Sequence, residues 1–239
     1  MPELYYDLHL HSCLSPCGDD DMTPGNIVGM AVVKGLDLIA LTDHNSCKNC
    51  PSFLKIARDY GVTALPGMEL TTSEEVHVVC LFADLQDAMA WDAFVYDHLV
   101  RFPNDEVVFG KQQLCNEEDE VVGTLPYFMP NATTISFDDV YDLLEEYHGL
   151  MIPAHVEKSS TSVLSNLGFF PPDSRFTCAE VQKMEHVHEL KKQHPYLENC
   201  RIICDSDAHY LEHIHEPVYT LTVKSRDPHD IIEALRTKP

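Results

Sequence analysis

The chain is short of positive charge. Only 16 of its 239 residues are Lys or Arg, against 39 Asp or Glu, and the formal net charge is −23. A field of that sign repels nucleic-acid backbones and anionic membrane surfaces, so a long nucleic acid or a lipid surface is not the expected partner. A small phosphorylated substrate is still allowed, because bound cations reverse the sign locally. Long hydrophobic runs are missing too: no stretch reaches the roughly 18 apolar residues of a membrane span. The opening "MPELYYDLHLHS" has no basic segment leading into an apolar core, so the sequence reads as cytoplasmic, without a signal peptide. Internal repeats, low-complexity tracts and Pro/Gly/Ser linkers are also absent, and residues 1–239 are expected to form a single domain.

Cysteine, by contrast, is plentiful, with nine residues. An odd number in a chain of this size, with no export signal, points to free thiols rather than a disulfide framework. Cys13 and Cys17 follow the first histidine-rich motif, and Cys47 and Cys50 form a CxxC after the second. If those loops are neighbours, four thiolates could hold zinc or an iron–sulfur cluster, or serve a redox or metal sensor.

Strand and helix patterns alternate along the chain. "LYYDLHL" reads as a strand, and Thr23 and Pro24 open a helix that stops at Gly35. "LDLIALTDHN" is a near-continuous apolar strand, as expected of one covered on both faces. Further strands are expected at "VTALPGMEL", "EVHVVCLF", "LMIPAH", "TCAEVQKM", "RIICDSDAH" and, at an edge, "VYTLTV". Helices are expected at "PSFLKIARDYG", "LQDAMAWDAFVYDHLV", "FDDVYDLLEEYHG" and "DPHDIIEALR", with Trp91 in the core. Residues 103–132 break the beat and read as an excursion, a hairpin or lid. Repeated β–α units predict parallel strands in a closed or nearly closed barrel.

The ionisable residues cluster where those strands end. In "DLHLHS", His9 and His11 alternate on one strand and project side by side. Asp43 and His44 end the second strand, Glu69 the third, His77 lies on the fourth, His155 ends "LMIPAH", and Asp205, Asp207 and His209 end the last. In a parallel barrel such ends converge on one rim, and neutral imidazoles with carboxylates are divalent-metal ligands.

Taken in order, "DLHLHS", "LTDHN", "PGMEL", "EVHVV", "IPAH" and "CDSDAH" resemble the PHP (polymerase and histidinol phosphatase) family of metal-dependent phosphoesterases. The resemblance covers nearly the whole chain and matches least over 103–132. It implies a distorted (β/α)7 TIM-like barrel with two to three divalent ions, Zn, Mn or Fe, at the C-terminal rim. One ion would use His9, His11, Glu69 and Asp207, and Glu69 would bridge to a second on His77 and His155. A third would use His44, His209 and a ligand from the loop after the first motif. In that loop Cys17 stands where a carboxylate is expected in "HSCLSPCGDDD", and Asp19 is preferred over Asp20 and then Cys17.

Ions bridged by a carboxylate generate hydroxide at neutral pH, which attacks phosphorus in line without a side-chain nucleophile. The expected activity is hydrolysis of a small phosphate monoester or nucleotide. The alternatives are a histidinol-phosphate phosphatase, a short-oligonucleotide exonuclease, and a metal-binding module without turnover. Lys158 is a candidate to hold the substrate phosphate. Asp7 and Asp205 are candidates to orient imidazoles. His186, His188, His213 and His215 are read as standing outside the site.

Overall fold

The computed structural model describes residues 1–238. The strands are β1 (Glu3–Leu10), β2 (Leu38–Leu41), β3 (Thr63–Thr71), β4 (His77–Leu81), β5 (Gln113–Cys115), β6 (Val121–Thr124), β7 (Leu150–Pro153), β8 (Cys178–Glu180), β9 (Arg201–Ile203) and β10 (Thr220–Thr222). The helices are α1 (Pro24–Lys34), α2 (Cys50–Tyr60), α3 (Leu85–His98), α4 (Glu106–Phe109), α5 (Phe137–Glu146), α6 (Val163–Asn166), α7 (Val187–Gln193) and α8 (Pro228–Arg236). Among the described residues, no helix is long and apolar enough to cross a membrane.

Sheet order is β10-β1-β2-β3-β4-β7, with β8 and β9 as a separate parallel pair. That pair closes the ring. Val156, just past β7, donates its N–H to Glu180 O of β8 at 2.9 Å, and His11 N donates to Ala208 O beyond β9 at 3.0 Å. The result is a distorted seven-stranded TIM-like barrel, with β10 lying antiparallel outside β1.

One strand breaks the expected parallel rule. β4 runs antiparallel to both β3 and β7, because only five residues separate it from β3, too few for a crossover helix. The reversal puts the N-terminal end of β4, not its C-terminal end, at the rim, and His77 is its first residue.

Local chemistry sets the helix ends. The Thr23 side chain accepts from Asn26 N, Pro24 occupies the first turn, and Gly35 closes α1 at φ 80, where a side chain would be strained. Asn49 precedes α2 but does not cap it. Its amide is committed elsewhere, donating to Gln113 O at 3.1 Å and accepting from Cys115 N at 3.0 Å.

Those bonds dock the excursion. Residues 103–132 contain α4 and the antiparallel hairpin β5–β6. Gln113 N donates to Cys13 O at 2.9 Å, Ser52 Oγ to Cys115 O at 2.8 Å, and Gly25 N to Asp119 Oδ1 at 2.8 Å. The segment is therefore bonded along its length to the loops after β1 and β2 and to the start of α1.

Apolar residues from every barrel strand fill the interior, including Leu8, Ala40, Leu65, Val79, Ile152, Cys178 and Ile203; Ile231 and Leu235 of α8 join them. A second set, with Ile27, Phe53, Trp91 and Val140, packs the helices on the outside of the sheet. Each such fully buried side chain contributes about 1.5–3 kcal/mol.

Candidate metal centre

The inward rows of the barrel extend into the site. On β3 the row Leu65–Gly67 continues to Glu69, on β4 it runs from Leu81 through Val79 to His77, and on β8 Cys178 leads to Glu180. Strand β1 needs a correction, because the row Leu4–Tyr6–Leu8 would bring Leu10 inward. A register shift between Asp7 and Leu10 moves Leu10 to the outer set and turns His9 and His11 to the site, as a bulge does next to functional positions.

Glu69 is the hub. Its Oε1 lies 2.7 Å from His77 Nδ1, 3.3 Å from His9 Nε2 and 3.3 Å from His155 Nε2. Its Oε2 lies 2.9 Å from His44 Nδ1 and 3.3 Å from His11 Nε2. Asp207 Oδ1 stands 3.3 Å from His11 Nε2 and 3.6 Å from His9 Nε2, and Lys158 Nζ is 2.8 Å from its Oδ2. His209 stacks on His11 at 4.2 Å between ring centroids. Three of these ligand-type groups gather closely enough for one ion each: His9, His11, Glu69 and Asp207; His44, Glu69 and His77; and His11, His44 and His209.

The hydrogen-bond network assigns the tautomers of the first two histidines. His9 Nδ1 donates to Glu180 Oε2 at 2.7 Å, which leaves the Nε2 of a neutral ring with a lone pair. Ser15 Oγ donates to Asp43 Oδ1 at 2.7 Å, so it accepts from His11 Nδ1 at 3.0 Å, and His11 Nε2 is free in the same way. These two Nε2 atoms are 3.1 Å apart and face two carboxylates. Two imidazole nitrogens and two carboxylates, His9, His11, Glu69 and Asp207, lie close enough together to hold a cation. His44 Nδ1 and Glu69 Oε2, buried and 2.9 Å apart without making a hydrogen bond, fit the same chemistry.

Without a metal ion, protons take up part of the charge. Burial disfavours a charged His11, yet hydrogen bonds to Asp207 and Glu69 hold it up at about 9. His44 is likewise held at about 9 against its burial, chiefly by Glu69. Burial works against Glu69 and Asp207 as carboxylates, but the surrounding histidines keep both well below the usual range. His209, half-buried and beside His11, is pushed down to about 3 by partial burial and the neighbouring imidazole. Asn45, His155 and Asp207 all have left-handed backbones, at φ 47, 32 and 51, a strain characteristic of binding sites.

The structure thus gathers His9, His11, His44, Glu69, His77, His155, Asp207 and His209, with Lys158 at the edge. It does not bring the Asp19 or Asp20 carboxylate in. Asp19 Oδ1 accepts from Asp21 N at 2.9 Å, while Asp20 binds Lys111 at 2.8 Å and Gln113 at 2.6 Å. The four-cysteine cluster does not form either: Cys13 Sγ faces Cys115 Sγ at 3.4 Å, and Cys47 lies with Cys50. Asp7 and Asp205 hold backbone rather than rings. Asp205 Oδ1 accepts from Leu8 N at 2.6 Å, and Asp7 from Ser206 N at 3.0 Å and His215 N at 2.9 Å. The orienting carboxylate is Glu180, whose one sequence signal was a charge inside the short strand stretch "TCAEV". His186, His188 and His213 are exposed, and Trp91 is fully buried.

Solved structures share this fold. The chain aligns with 18% identity and a TM-score of 0.69 to the lesion-specific endonuclease PfuEndoQ of Pyrococcus furiosus, over 98% of this chain and 56% of that one. It aligns with 15% identity and a TM-score of 0.58 to a protein from Bifidobacterium adolescentis named as a metal-dependent phosphoesterase, over 98% of this chain and 96% of that one. In sequence it is 32% identical over 82 residues to a 5'-3' exoribonuclease of Haemophilus influenzae, 33% of this chain and 29% of the relative. The chain spans under half the length of the curated relatives it matches. The PHP domain itself matches residues 7–157, from the aspartate before the first histidine pair to just past His155 and well over half of the sequence. The rim of histidines around Glu69 is therefore built on a known plan, and the chain belongs to the PHP domain family.

Proposed function

We propose that the chain is a metal-dependent phosphoesterase that hydrolyses a small phosphate monoester or a nucleotide. The observation that carries this reading is Glu69, one buried carboxylate facing five imidazoles with Asp207 beside them. His9, His11, Glu69 and Asp207 would hold one ion. Glu69, His77 and His155 would hold a second, and His44 and His209 most of a third. Imidazole and carboxylate suit zinc, manganese and iron. Two to three such ions, when bound, supply an activated water and neutralise charge growing on the phosphoryl oxygens.

The protein's own groups position and select. Glu180 and Ser15 hold His9 and His11 in their free-Nε2 tautomers. Burial opposes the charge on Lys158, but Asp207 keeps it an ammonium. With Asp207 holding an ion, Lys158 at its side would be placed to take a phosphate oxygen. The acidic run Asp19–Asp21 lies in the loop after β1 and repels a long phosphate backbone more than a single compact phosphate.

A second reading, an exonuclease taking the phosphorylated end of a short oligonucleotide, is favoured by the match to the exoribonuclease. Elemental analysis beside a phosphate-release screen of nucleotides, sugar phosphates, histidinol phosphate and a 5′-phosphorylated tetranucleotide separates these readings. The expected result is two to three ions per chain and turnover of one small ester. Turnover of the tetranucleotide alone selects the exonuclease. Ions without any turnover select a binding module, and no ions at all would falsify the proposal. Lys158→Ala is expected to raise KM about 10–100-fold, the worth of one hydrogen bond between charged partners.

A further inference from the structure

We propose that Cys17 is the remaining ligand of the outer ion position, so that this position is a thiolate–imidazole site built for a zinc-class ion. The inference rests on the metal-binding reading of the rim and gives one position in it a donor set and a preferred metal.

The loop after β1 arches over His44 and His209 and is fixed at both ends. Ser15 Oγ accepts from His44 N at 3.1 Å and from His11 Nδ1 at 3.0 Å. Four residues later, Asp19 N donates to His209 O at 2.9 Å. Between these anchors Gly18 N donates back to Ser15 O at 2.8 Å, which makes the segment a tight turn with Cys17 at its crest. A Cβ on Gly18 would meet Ser12 O at 2.8 Å, so the turn packs directly on the backbone that follows His11. The Cys17 thiol lies against the His44 imidazole.

The carboxylates of the loop are turned away from this place. Asp19 Oδ1 takes the N–H of Asp21, and both oxygens of Asp20 are held by Gln113 and Lys111 of the docked excursion. Cys17 is the remaining anionic donor between the two anchors. The imidazoles it would join are already assembled, since one nitrogen each of His11, His44 and His209 lie within 4.8 Å of one another. His44 is more than nine-tenths buried, and since its Nδ1 faces Glu69 Oε2 at 2.9 Å, Nε2 is the nitrogen left for the outer position.

Sulfur changes what such a site selects. A thiolate with two imidazoles prefers Zn2+ or Co2+ to Mn2+ or Mg2+, which favour oxygen. Cys17 is also the one exposed cysteine of the nine, so its chemistry can be followed in the intact protein.

The test is titration of chelated protein with Co2+, followed by absorption. The expected result is a sulfur-to-cobalt charge-transfer band in the near ultraviolet that grows with one equivalent. The band disappears in Cys17→Ser and Cys17→Ala, with loss of one bound cobalt, and persists in Asp19→Asn. A thiol reagent is expected to label one cysteine in chelated protein and none once Zn2+ is added. Cobalt bound through visible d–d bands without the charge-transfer band overturns the assignment of Cys17 but leaves the rim a metal site. Loss of a cobalt equivalent in Asp19→Asn but not in Cys17→Ser overturns it in favour of the carboxylate. No cobalt binding at all overturns the metal-binding reading itself.

Discussion

Glu180 Oε2 lies 2.7 Å from His9 Nδ1, so a carboxylate behind the rim decides which nitrogen of the first histidine faces the site. The other oxygen of Glu180 accepts from the backbone of His155 at 3.3 Å, tying a strained residue to the same group. Glu180→Ala is expected to weaken the tightest bound ion about 10–100-fold in a chelator competition. Glu180→Gln, which can still accept from Nδ1, is expected to lose less. Equal affinity in all three proteins would contradict this role.

Glu69→Gln removes the one charge shared by the five imidazoles around it. Phosphate release is expected to fall on the order of 10²–10³-fold. In chelated protein, NMR titration of His44 is expected to drop from about 9 more than that of His11, because His11 also bonds Asp207. Equal drops would show that Asp207 does not share the load.

The metal-free protein is expected to lose stability as the pH rises. Folding raises His11 and His44 to about 9, above the ordinary value near 6.5. Between those values the folded chain binds more protons than the unfolded one, so their contribution is complete below about 6.5 and lost through about 9. Melting of chelated protein at pH 6, 7.5 and 9 should fall in that order. Metal displaces the same protons, so the gain in melting temperature on adding Zn2+ should widen with pH.

Gly67 sits two residues before Glu69, where an added Cβ would meet Leu81 at 2.8 Å and Cys80 O at 2.9 Å. Gly67→Ala is expected to cost about 1–3 kcal/mol by overpacking the β3–β4 pair. Urea unfolding should show a lower midpoint with an unchanged slope.

Much of this was legible residue by residue. Apolar strands and capped helices appear where "LDLIAL" and "TPGNIVGMAVVKG" place them, because buried runs and Thr–Pro starts are local signals. The histidines of the rim were readable from their positions at strand ends. What the chain does not display locally is direction and register. That β4 runs backwards follows from the short connection after Glu69, and that Leu10 turns outward follows from a bulge set by the neighbouring strand. Glu180 was hidden because its role depends on β8, separated from β1 by β9 in the closed ring, turning its side chain inward to His9. The Asp19 and Asp20 side chains are drawn off by Asp21, Gln113 and Lys111, and the last two lie on the excursion nearly a hundred residues away.

The gradient of burial across the rim has a kinetic consequence. His9 and His11 are wholly enclosed, Glu69 and His155 nearly so, while His209 is partly open and Cys17 faces solvent. On the proposed ligand sets, ions would enter and leave through the open edge where His209, Asp207 and Lys158 stand, and the ion held mostly by enclosed ligands would exchange last. Dialysis against a chelator should strip the ions in stages, and the last to go should be the one whose ligands the barrel's own packing had already fixed.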